Sequence, residues 1–266
     1  MEELRRLVKE LAEGGTPGLR FGVKCIAVSD VAAQYYCEKK VEMAYTYGEI
    51  ETLGMKKGEE AHEFLLKDAV KTDWRQILRE IYSGKLVLIS EMLLLGKHGD
   101  TILAGRCDAV LFFKNRPLLL FEHKFSSRRI PFSDHHVQAR LYCYLLHLIG
   151  WDTSRLRYAL VMAPLESRDD PQLRKTSSHV LRALMEKRNV DKIVLGKASV
   201  YLNRFDLKKT VEELEWALDF WKQKREPIPT GKPAKCLSCE FREKCEYGRQ
   251  WKQRLGWLRD KFSKNT

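Results

Sequence analysis

Two acidic residues and a lysine stand at the ends of apolar, strand-like segments. Glu122 and Lys124 close the run PLLLFEHK, where strand alternation places both side chains on one face. Burying a charge at the end of such a run is costly unless the charge is paired or bound to a metal ion. Asp108 lies on the preceding apolar segment, and a hairpin between the two segments would set its carboxylate beside that of Glu122.

A pair of neighbouring carboxylates favours a divalent cation. The two groups repel each other unless a cation lies between them, and oxygen ligands suit Mg²⁺ or Mn²⁺. Such a cation can polarise a phosphoryl oxygen and activate water, while a lysine offsets the charge that develops. We therefore predict phosphodiester hydrolysis, with Lys124 as the offsetting cation and His62, in the helical text GEEAHEF, as a further ligand. Taken alone, a Glu and a Lys on one strand face indicate a simple ion pair, and a lone helical His indicates a surface or core residue.

Three cysteines near the C-terminal end form a second candidate site. Cys236, Cys239 and Cys245 lie in a loop-rich segment, and a tetrahedral centre needs a fourth ligand from elsewhere. The chain has seven cysteines and opens on a charged amphipathic helix rather than an export signal, so grouped cysteines favour metal over disulfides. Four thiolates suit Zn²⁺ or a [4Fe–4S] cluster equally well, so the spacing leaves the occupant open.

The elements that must position these residues follow from periodicity. Helical patterns cover 29–45, with Ser29 as a possible N-cap, and 57–82, while 85–95, 101–113 and 117–124 are strand-like and the last two form a hairpin. The sequence pattern of the rest of the core predicts, in order, a helix at 136–149, a strand at 157–163, a helix at 177–187, the strand-like run KIVLGKASVYLNRF and a helix at 207–224. This is an α/β pattern, with helices flanking a mixed central sheet.

Charge and hydropathy narrow the class of partner. The net charge is +12 and the pI is about 9.3, which attracts polyanions and favours nucleic acid, although a basic surface kept for solubility has the same composition. No apolar run approaches the length of a membrane helix, which takes roughly 18 residues. We therefore expect a cytoplasmic protein with no membrane partner.

Several residues near the carboxylates have the chemistry of a DNA surface. Gln138 and Tyr142 are four apart on one helix face, although Tyr142 also suits the apolar face of that helix. The C-terminal run RQWKQRLGWLRDKF interleaves cations with tryptophans, a composition that suits phosphate contacts and base stacking or simple packing on the domain. Three arginines would contact phosphates. Arg128 and Arg129 follow Lys124 in the chain, and Arg140 lies on the same helix as Gln138.

The ordered motifs resemble those of the PD-(D/E)xK superfamily in its RecB-like branch, and most closely the CRISPR-associated four-cysteine exonucleases. The matching residues are His62, Asp108 in G-x-x-D, Glu122-x-Lys124 and Gln138-x-x-x-Tyr142. The resemblance implies a restriction-endonuclease-like core. It also implies that the metal is held by His62, Asp108, Glu122 and the backbone carbonyl of His123, that Lys124 is the catalytic lysine, and that Gln138 and Tyr142 position DNA.

The same resemblance supplies the fourth cysteine. It implies that Cys37 joins Cys236, Cys239 and Cys245 around a [4Fe–4S] cluster, with Zn²⁺ as the alternative occupant, and that the cluster staples an N-terminal helix to the C-terminal tail. The chain departs from the family pattern in three places: Glu38-Lys39 replaces Pro-Arg after the first cysteine, Cys107 replaces Pro before the Asp, and His123 replaces an apolar residue.

The predicted organisation is an N-terminal helix and lead-in at 1–28, a nuclease core at 29–224, and an iron-sulfur module with a basic helix at 225–266. The resemblance implies a Mg²⁺- or Mn²⁺-dependent deoxyribonuclease, an exonuclease on single-stranded ends that trims spacer precursors alongside CRISPR integrase proteins. A repair exonuclease of the same superfamily would carry the same motifs. A non-catalytic, zinc-stapled nucleic-acid-binding protein is the alternative from a different class.

Overall fold

The computed structural model describes residues 2–48, 74–126, 129–164, 175–186 and 190–263. The helices in these ranges are α1 (Glu2–Ala12), α2 (Val28–Tyr36), α3 (Glu38–Tyr47), α4 (Trp74–Tyr82), α5 (Ser133–Leu148), α6 (Thr176–Glu186), α7 (Leu207–Trp221), α8 (Pro233–Leu237) and α9 (Glu246–Ser263). The strands are β1 (Ile26–Ala27), β2 (Val87–His98), β3 (Thr101–Phe113), β4 (Arg116–Phe125), β5 (Arg157–Ala163), β6 (Lys192–Leu195) and β7 (Ala198–Arg204).

The described strands form one mixed sheet. Its order is β1-β3-β4-β5-β7-β6, with β2 paired to β3 as well. β1 runs parallel to β3 and β4 runs parallel to β5, whereas the other pairs are antiparallel. A parallel pair needs a crossover, which α5 provides between β4 and β5. The prediction of a mixed central sheet flanked by helices, as in a restriction-endonuclease-like core, is confirmed.

The predicted hairpin of two long strands is present and is closed by a tight turn. Lys114 and Asn115 both have positive φ, 48° and 64°, as a type I′ turn requires, because this turn matches the right-handed twist of the flanking strands. Ala109 pairs with Phe121 and Val110 with Leu120, and the register shifts between Leu111 and Phe112. The hairpin register therefore fixes which residues of β3 and β4 are neighbours.

Two apolar layers cover the two faces of the sheet. The larger one includes α5, whose residues from Ala139 to Leu146 are all buried, and the strand residues Leu120 and Leu160. The smaller one lies under α6 and contains Phe121 and other alternate strand residues. Alternation thus sends Leu120 and Glu122, two residues apart, towards the α5 face.

The predicted single helix over 29–45 is wrong: it is two helices broken at Cys37. Cys37 is extended, with φ −173° and ψ 117°, and joins α2 to α3. The backbone N–H of Glu38 donates to the carbonyl of Ile228 at 3.2 Å, so a distant segment takes a hydrogen bond that a continuous helix would have used. Ser29 does not cap α2, because Ala27 occupies the N-cap position.

The remaining predicted elements agree with the structure apart from one split. The run KIVLGKASVYLNRF folds into two strands, β6 and β7, with Gly196 at positive φ (56°) between them. The helices and strand predicted at 136–149, 157–163, 177–187 and 207–224 are confirmed as α5, β5, α6 and α7. Of the helix predicted at 57–82, the structure describes only α4, and 57–73 lie outside the described residues. No helix in the described part of the chain combines the length and apolar character that crossing a membrane requires.

Candidate active site

Asp108 and Glu122 lie on neighbouring strands at the end of the β3–β4 hairpin. The pairing of Ala109 with Phe121 puts Asp108 opposite Glu122 where the two strands diverge. Neighbouring strands are about 4.8 Å apart, so carboxylates at matched positions share one small volume. Glu122 is 3% exposed, and the Asp108 side chain is one-third exposed. The site therefore has a buried floor at Glu122 and an accessible rim at Asp108.

Glu122 is a buried carboxylate, and the described residues engage one of its two oxygens. Its Oε1 lies 2.9 Å from Lys124 Nζ. Its Oε2 is fully buried and has no hydrogen-bond partner among the described residues. Burial raises the pKa of Glu122 to about 7, Lys124 opposes that rise, and the nearby Asp108 adds to it. An unpartnered oxygen on a buried acid is costly, and a cation at this point would remove the cost.

Asp108 is fixed by the residue that follows Glu122. The backbone N–H of His123 donates to Asp108 Oδ2 at 2.5 Å, and His123 Nδ1 lies 3.2 Å from the same oxygen. Both of these contacts reach the same oxygen of Asp108, Oδ2. The strand residue between Glu122 and Lys124 thus ties the two carboxylates into one geometry.

A chain of hydrogen bonds runs from Lys124 into α5. Lys124 Nζ donates to Gln138 Oε1 at 2.6 Å, and Gln138 Nε2 donates to Tyr142 OH at 3.2 Å. Tyr142 is 3% exposed, and a Cβ added at Gly105 would lie 2.6 Å from Tyr142 Cε1. The glycine of the G-x-x-D motif therefore makes room for the tyrosine that anchors this chain.

The prediction that Arg140 contacts DNA is corrected by its surroundings. Arg140 is 6% exposed, and its guanidinium donates to Glu213 at 2.6 and 2.9 Å and to Tyr158 OH at 3.2 Å. A buried arginine whose donors are already used cannot reach a phosphate. Arg140 instead joins α5 to α7 through a bidentate ion pair.

The other predicted site residues lie partly outside the described ranges. His62 and Arg128 fall outside the described residues. Arg129 is exposed, and its carbonyl accepts a hydrogen bond from Tyr201 OH at 2.8 Å. Trp251 is half-buried on α9, with the guanidinium of Arg254 5.3 Å from its ring centre.

Two residues near the carboxylates were not found from the sequence. Glu91 on β2 lies opposite Asp108, because Ser90 pairs with Ala109 and Met92 with Cys107. Burial and the charge of Asp108 raise the pKa of Glu91. In the first turn of α5, burial and the charge of Lys124 lower the pKa of His135, against the opposing effect of Asp134. The sequence signal for Glu91 was a glutamate inside the apolar run LVLISEMLLL, but its position opposite Asp108 depends on the β2–β3 register.

A family model, the PD-(D/E)XK nuclease superfamily, matches residues 27–246. This chain belongs to the PD-(D/E)XK nuclease superfamily. The matched range contains β2 to β7, the paired carboxylates and all four cysteines of the second candidate site. Membership of this superfamily agrees with the ordered motifs and with the mixed sheet.

Two solved structures are similar to this superfamily member at low identity. SSO0001 is 15% identical, with 91% of this chain and 93% of that chain covered and a TM-score of 0.42. An exonuclease candidate from Eubacterium rectale is 10% identical, with 81% of this chain and 86% of that chain covered and a TM-score of 0.40. No curated protein matches the chain.

The four cysteines of the second candidate site line a single pocket of this superfamily member. The pocket encloses about 380 Å³, its open mouth included, and is lined by Cys37, Cys236, Cys239 and Cys245 together with Tyr36, Met43 and Phe241. The backbone N–H of Thr230 donates to Cys37 Sγ at 3.3 Å. The side chains of Lys39, Lys40, Lys235 and Arg242 also line the pocket. Cys25, Cys107 and Cys143 are buried elsewhere, as predicted for core residues.

The donor set suits a thiolate-bound group, although the ligands are not yet gathered around a centre. The backbone N–H to sulfur and the surrounding cations favour thiolates, because each lowers the energy of negative sulfur, whereas burial acts the other way and raises the pKa of Cys236 and Cys239. Within the described ranges, no three His, Cys, Asp or Glu side chains stand close enough to form a ready-made metal site. Both candidate centres therefore offer donor types that suit a metal, without a preformed set of three ligands among the described residues.

The C-terminal segment is also held to the N-terminal helices by a buried ion pair beside Cys37. Glu38 is 1% exposed, and its carboxylate accepts hydrogen bonds from Arg225 at 2.5 and 2.6 Å and from the N–H of Ile228 at 2.7 Å. The Arg225 guanidinium lies 4.3 Å from the ring centre of Trp216. Glu38 thus attaches the C-terminal segment to the start of α3, next to the cysteine pocket.

Proposed function

We propose that this protein is a divalent-metal-dependent deoxyribonuclease with Asp108 and Glu122 as its metal-binding carboxylates. The observation that carries the proposal is Glu122 Oε2, a buried carboxylate oxygen that lies beside a second carboxylate and has no hydrogen-bond partner among the described residues. Membership of the nuclease superfamily supports the same reading. Oxygen ligands at a half-open site suit Mg²⁺ or Mn²⁺.

A simple ion pair does not account for this arrangement. Lys124 neutralises one charge and contacts only Oε1 of Glu122. Asp108, within the influence of Glu122, is bonded through a single oxygen to His123. Two carboxylates beside one lysine leave net negative charge and, among the described residues, an unsatisfied oxygen, and a bound divalent cation would remove both.

The chemistry divides between the cation and the side chains around it. When bound, Mg²⁺ or Mn²⁺ polarises a phosphoryl oxygen and lowers the pKa of a water molecule. Lys124 offsets the negative charge that grows on the phosphoryl oxygens as the water attacks. Gln138 holds the Lys124 ammonium at 2.6 Å, and Tyr142 holds Gln138, so the lysine is oriented before the substrate arrives.

Further metal donors and DNA contacts follow from the superfamily pattern. We assign His62 and the backbone carbonyl of His123 as additional metal ligands. Arg128 and Arg129, which follow Lys124 in the chain, would contact the phosphates of the scissile strand. The net charge of +12 would raise the rate of DNA encounter.

We assign single-stranded DNA ends as the preferred substrate and exonucleolytic cleavage as the mode. Trp251, with Arg254 against its ring, offers a surface on which unpaired bases can stack. The four-cysteine pattern favours a role in trimming spacer precursors with CRISPR integrase proteins. A repair exonuclease of the same superfamily is the alternative, and binding of purified integrase proteins, measured by pull-down with this chain, separates the two.

We assign a [4Fe–4S] cluster to the pocket lined by Cys37, Cys236, Cys239 and Cys245, with Zn²⁺ as the alternative occupant. Its role is structural, because the cluster would join the α2–α3 junction to the C-terminal segment. The visible spectrum and the iron, sulfide and zinc content of anaerobically purified protein identify the occupant. Cys239→Ala should lower metal content and solubility, whereas Cys25→Ala, at a buried cysteine outside the pocket, should leave metal content unchanged. Equal metal content in both variants would contradict the assignment.

Cleavage of end-labelled DNA tests the proposed activity. Single- and double-stranded substrates are incubated with Mg²⁺, Mn²⁺ or EDTA, and the labelled products report polarity. We expect cleavage only with the cation and a loss of cleavage in Glu122→Ala. Lys208→Ala, which removes a lysine that is 88% exposed, is the matched surface control and should cleave normally. A protein that binds DNA and never cuts it would instead favour the non-catalytic, zinc-stapled binding module.

A further inference from the structure

β2 lies at one edge of the sheet in the described part of the chain. β3 pairs with β2 along one side and with β1 and β4 along the other, and no described strand pairs with the outer side of β2. α1 packs against the later half of β2, where Glu10 pairs with Lys97. An edge strand presents backbone N–H and C=O groups that can pair with a strand of another chain. The first half of β2 is therefore a candidate interface.

The start of this edge carries apolar side chains that are exposed to solvent. Leu86 is 51% exposed and Leu88 is 42% exposed, and strand alternation places both on one face. On that face Leu88 lies beside Leu111 of β3, which belongs to the smaller apolar layer. Proteins usually protect such an edge with charges or cover it, so an exposed apolar edge indicates association with another chain.

The exposed edge segment has a definite centre. Lys85 lies at a bend before β2, and Glu91 has a φ of 51°, in the left-handed region that interrupts a regular strand. The segment between them, 86–90, contains the start of β2 and has Leu88 in its middle. A strand that pairs with this segment would therefore be centred on Leu88.

The sequence KLVLISE, which begins at Lys85, is complementary to itself. Two copies related by a two-fold axis perpendicular to the sheet pair in antiparallel register, and each copy places the same residue beside the axis. With the axis beside Leu88, the two Leu88 side chains meet and Val87 faces Ile89. Lys85 then faces Glu91 at both ends. An axis beside Val87 would set Lys85 against Ile89, and an axis beside Ile89 would set Glu91 against Val87. Of these three registers, only the one centred on Leu88 pairs opposite charges.

Both charged residues are accessible to a second copy. The Glu91 side chain is 66% exposed, and its contact with Arg106 of the same chain is 4.0 Å long. Lys85 is also exposed. Opposite charges at matched positions of neighbouring strands favour pairing, whereas like charges oppose it. The charges at the two ends of the segment therefore select the register centred on Leu88.

We infer that two copies of this chain pair edge to edge through residues 85–91, in the antiparallel register centred on Leu88. This inference goes beyond the proposed nuclease function and does not depend on it. The pairing joins two sheets into one and places both α5 faces on the same side, because the axis is perpendicular to the sheet.

The paired sheets would also fix the separation of the two candidate active sites. Asp108 lies opposite Glu91 in the β2–β3 register. A strand spacing of about 4.8 Å and a rise of about 3.3 Å per residue then set the two Asp108 residues about 25 Å apart. Both sites would therefore lie within reach of one DNA molecule.

Sedimentation velocity of the full chain without DNA, over a range of protein concentrations, tests this inference. We expect a wild-type monomer–dimer equilibrium with a dissociation constant on the order of micromolar, because the paired segment is short. Lys85→Glu and Glu91→Lys should each raise the dissociation constant at least about tenfold, since like charges then meet at both ends. A mixture of these two variants should dimerise again, because every charged pair across the mixed interface is then opposite.

Two further variants complete the test, and circular dichroism checks that each variant is folded. Lys208→Glu makes the same charge change at an exposed position on α7 and should dimerise as the wild type does. Leu88→Lys sets two like charges beside the axis and should abolish dimerisation, so the test does not rest on Glu91→Lys alone.

Three outcomes would overturn the inference. A wild type that stays monomeric at every concentration would leave this edge to a different partner. A dimer that persists in both Lys85→Glu and Leu88→Lys would place the contact elsewhere on the molecule. Variants that are monomeric alone and remain monomeric when Lys85→Glu is mixed with Glu91→Lys would refute the register centred on Leu88.

Discussion

Glu122 couples the stability of the metal-free protein to pH. Burial raises the pKa of this carboxyl from 4.5 to about 7 in the folded state. The folded protein therefore holds this proton more tightly than the unfolded chain does. The contribution of Glu122 to the free energy of unfolding is therefore fully present below pH 4.5 and is lost as pH rises through about 7. The sign is opposite to that of an ordinary salt-bridged carboxylate.

The size of the effect follows from the same two pKa values. A rise from 4.5 to about 7 corresponds to about 3 kcal/mol of unfolding free energy, at about 1.36 kcal/mol per pKa unit. Glu122→Gln carries no titrating group, so its stability lacks this component. The difference in stability between the two proteins should therefore change by roughly 2–3 kcal/mol between pH 5 and pH 8, in favour of the variant at high pH.

Urea denaturation in EDTA at pH 5, 6, 7 and 8 measures this difference. Comparing the two proteins at each pH cancels the titration of all other groups that both chains share. Saturating Mn²⁺ should reverse the trend for the wild type, because the cation binds the ionised form and stabilises the folded state at high pH. A stability difference that stays constant with pH within about 0.5 kcal/mol would refute the reasoning, because Glu122 would then titrate alike in both states.

Three further substitutions probe the support around the carboxylates and the tail. Lys124→Met should lower single-turnover cleavage about 10²–10³-fold with unchanged DNA affinity, since it removes a cation needed only in the transition state; equal losses in binding would contradict this. Gly105→Ala should lower the free energy of unfolding, measured by urea denaturation, by about 1–3 kcal/mol and should also slow cleavage, because the new methyl group displaces Tyr142. A free energy of unfolding equal to that of the wild type would show that Tyr142 is not tightly packed against Gly105. Glu38→Ala should cost about 3–5 kcal/mol by leaving Arg225 unpaired, and an unfolding midpoint equal to that of the wild type would rule out the attachment.

The sheet and most helices were predictable because their signals are local. Alternation and apolar runs marked β3, β4 and β5, and the turn residues Lys114 and Asn115 marked the hairpin. The carboxylate pair followed from that hairpin, since a single register sets Asp108 beside Glu122. Local patterns were therefore enough for the centre of the candidate site.

The errors arose where a distant segment decides the outcome. Arg140 looked like a DNA contact because its partner, Glu213, lies 73 residues away. The helix break at Cys37 depends on the backbone of Ile228, which no local pattern reveals. Glu91 escaped notice because its neighbour across the sheet is set by the β2–β3 register. Each case needed a tertiary contact rather than a propensity.

Direct contacts link the motif residues of the candidate site. The glycine of G-x-x-D packs against Tyr142, Tyr142 accepts a hydrogen bond from Gln138, and Gln138 accepts one from Lys124. A change at Gly105 therefore reaches the lysine through direct contacts. This explains in physical terms why these residue types occur together on β3, β4 and α5.

Single-turnover cleavage by Glu122→Gln tests the central claim most directly. The variant and the wild type are mixed with end-labelled single-stranded DNA and Mn²⁺, and DNA affinity is measured in parallel with Ca²⁺ in place of Mn²⁺. We predict that Glu122→Gln binds DNA as well as the wild type and does not cleave it. Cleavage by the variant at the wild-type rate would contradict the assignment of Glu122 as a metal ligand and would leave the carboxylate pair with a structural role alone.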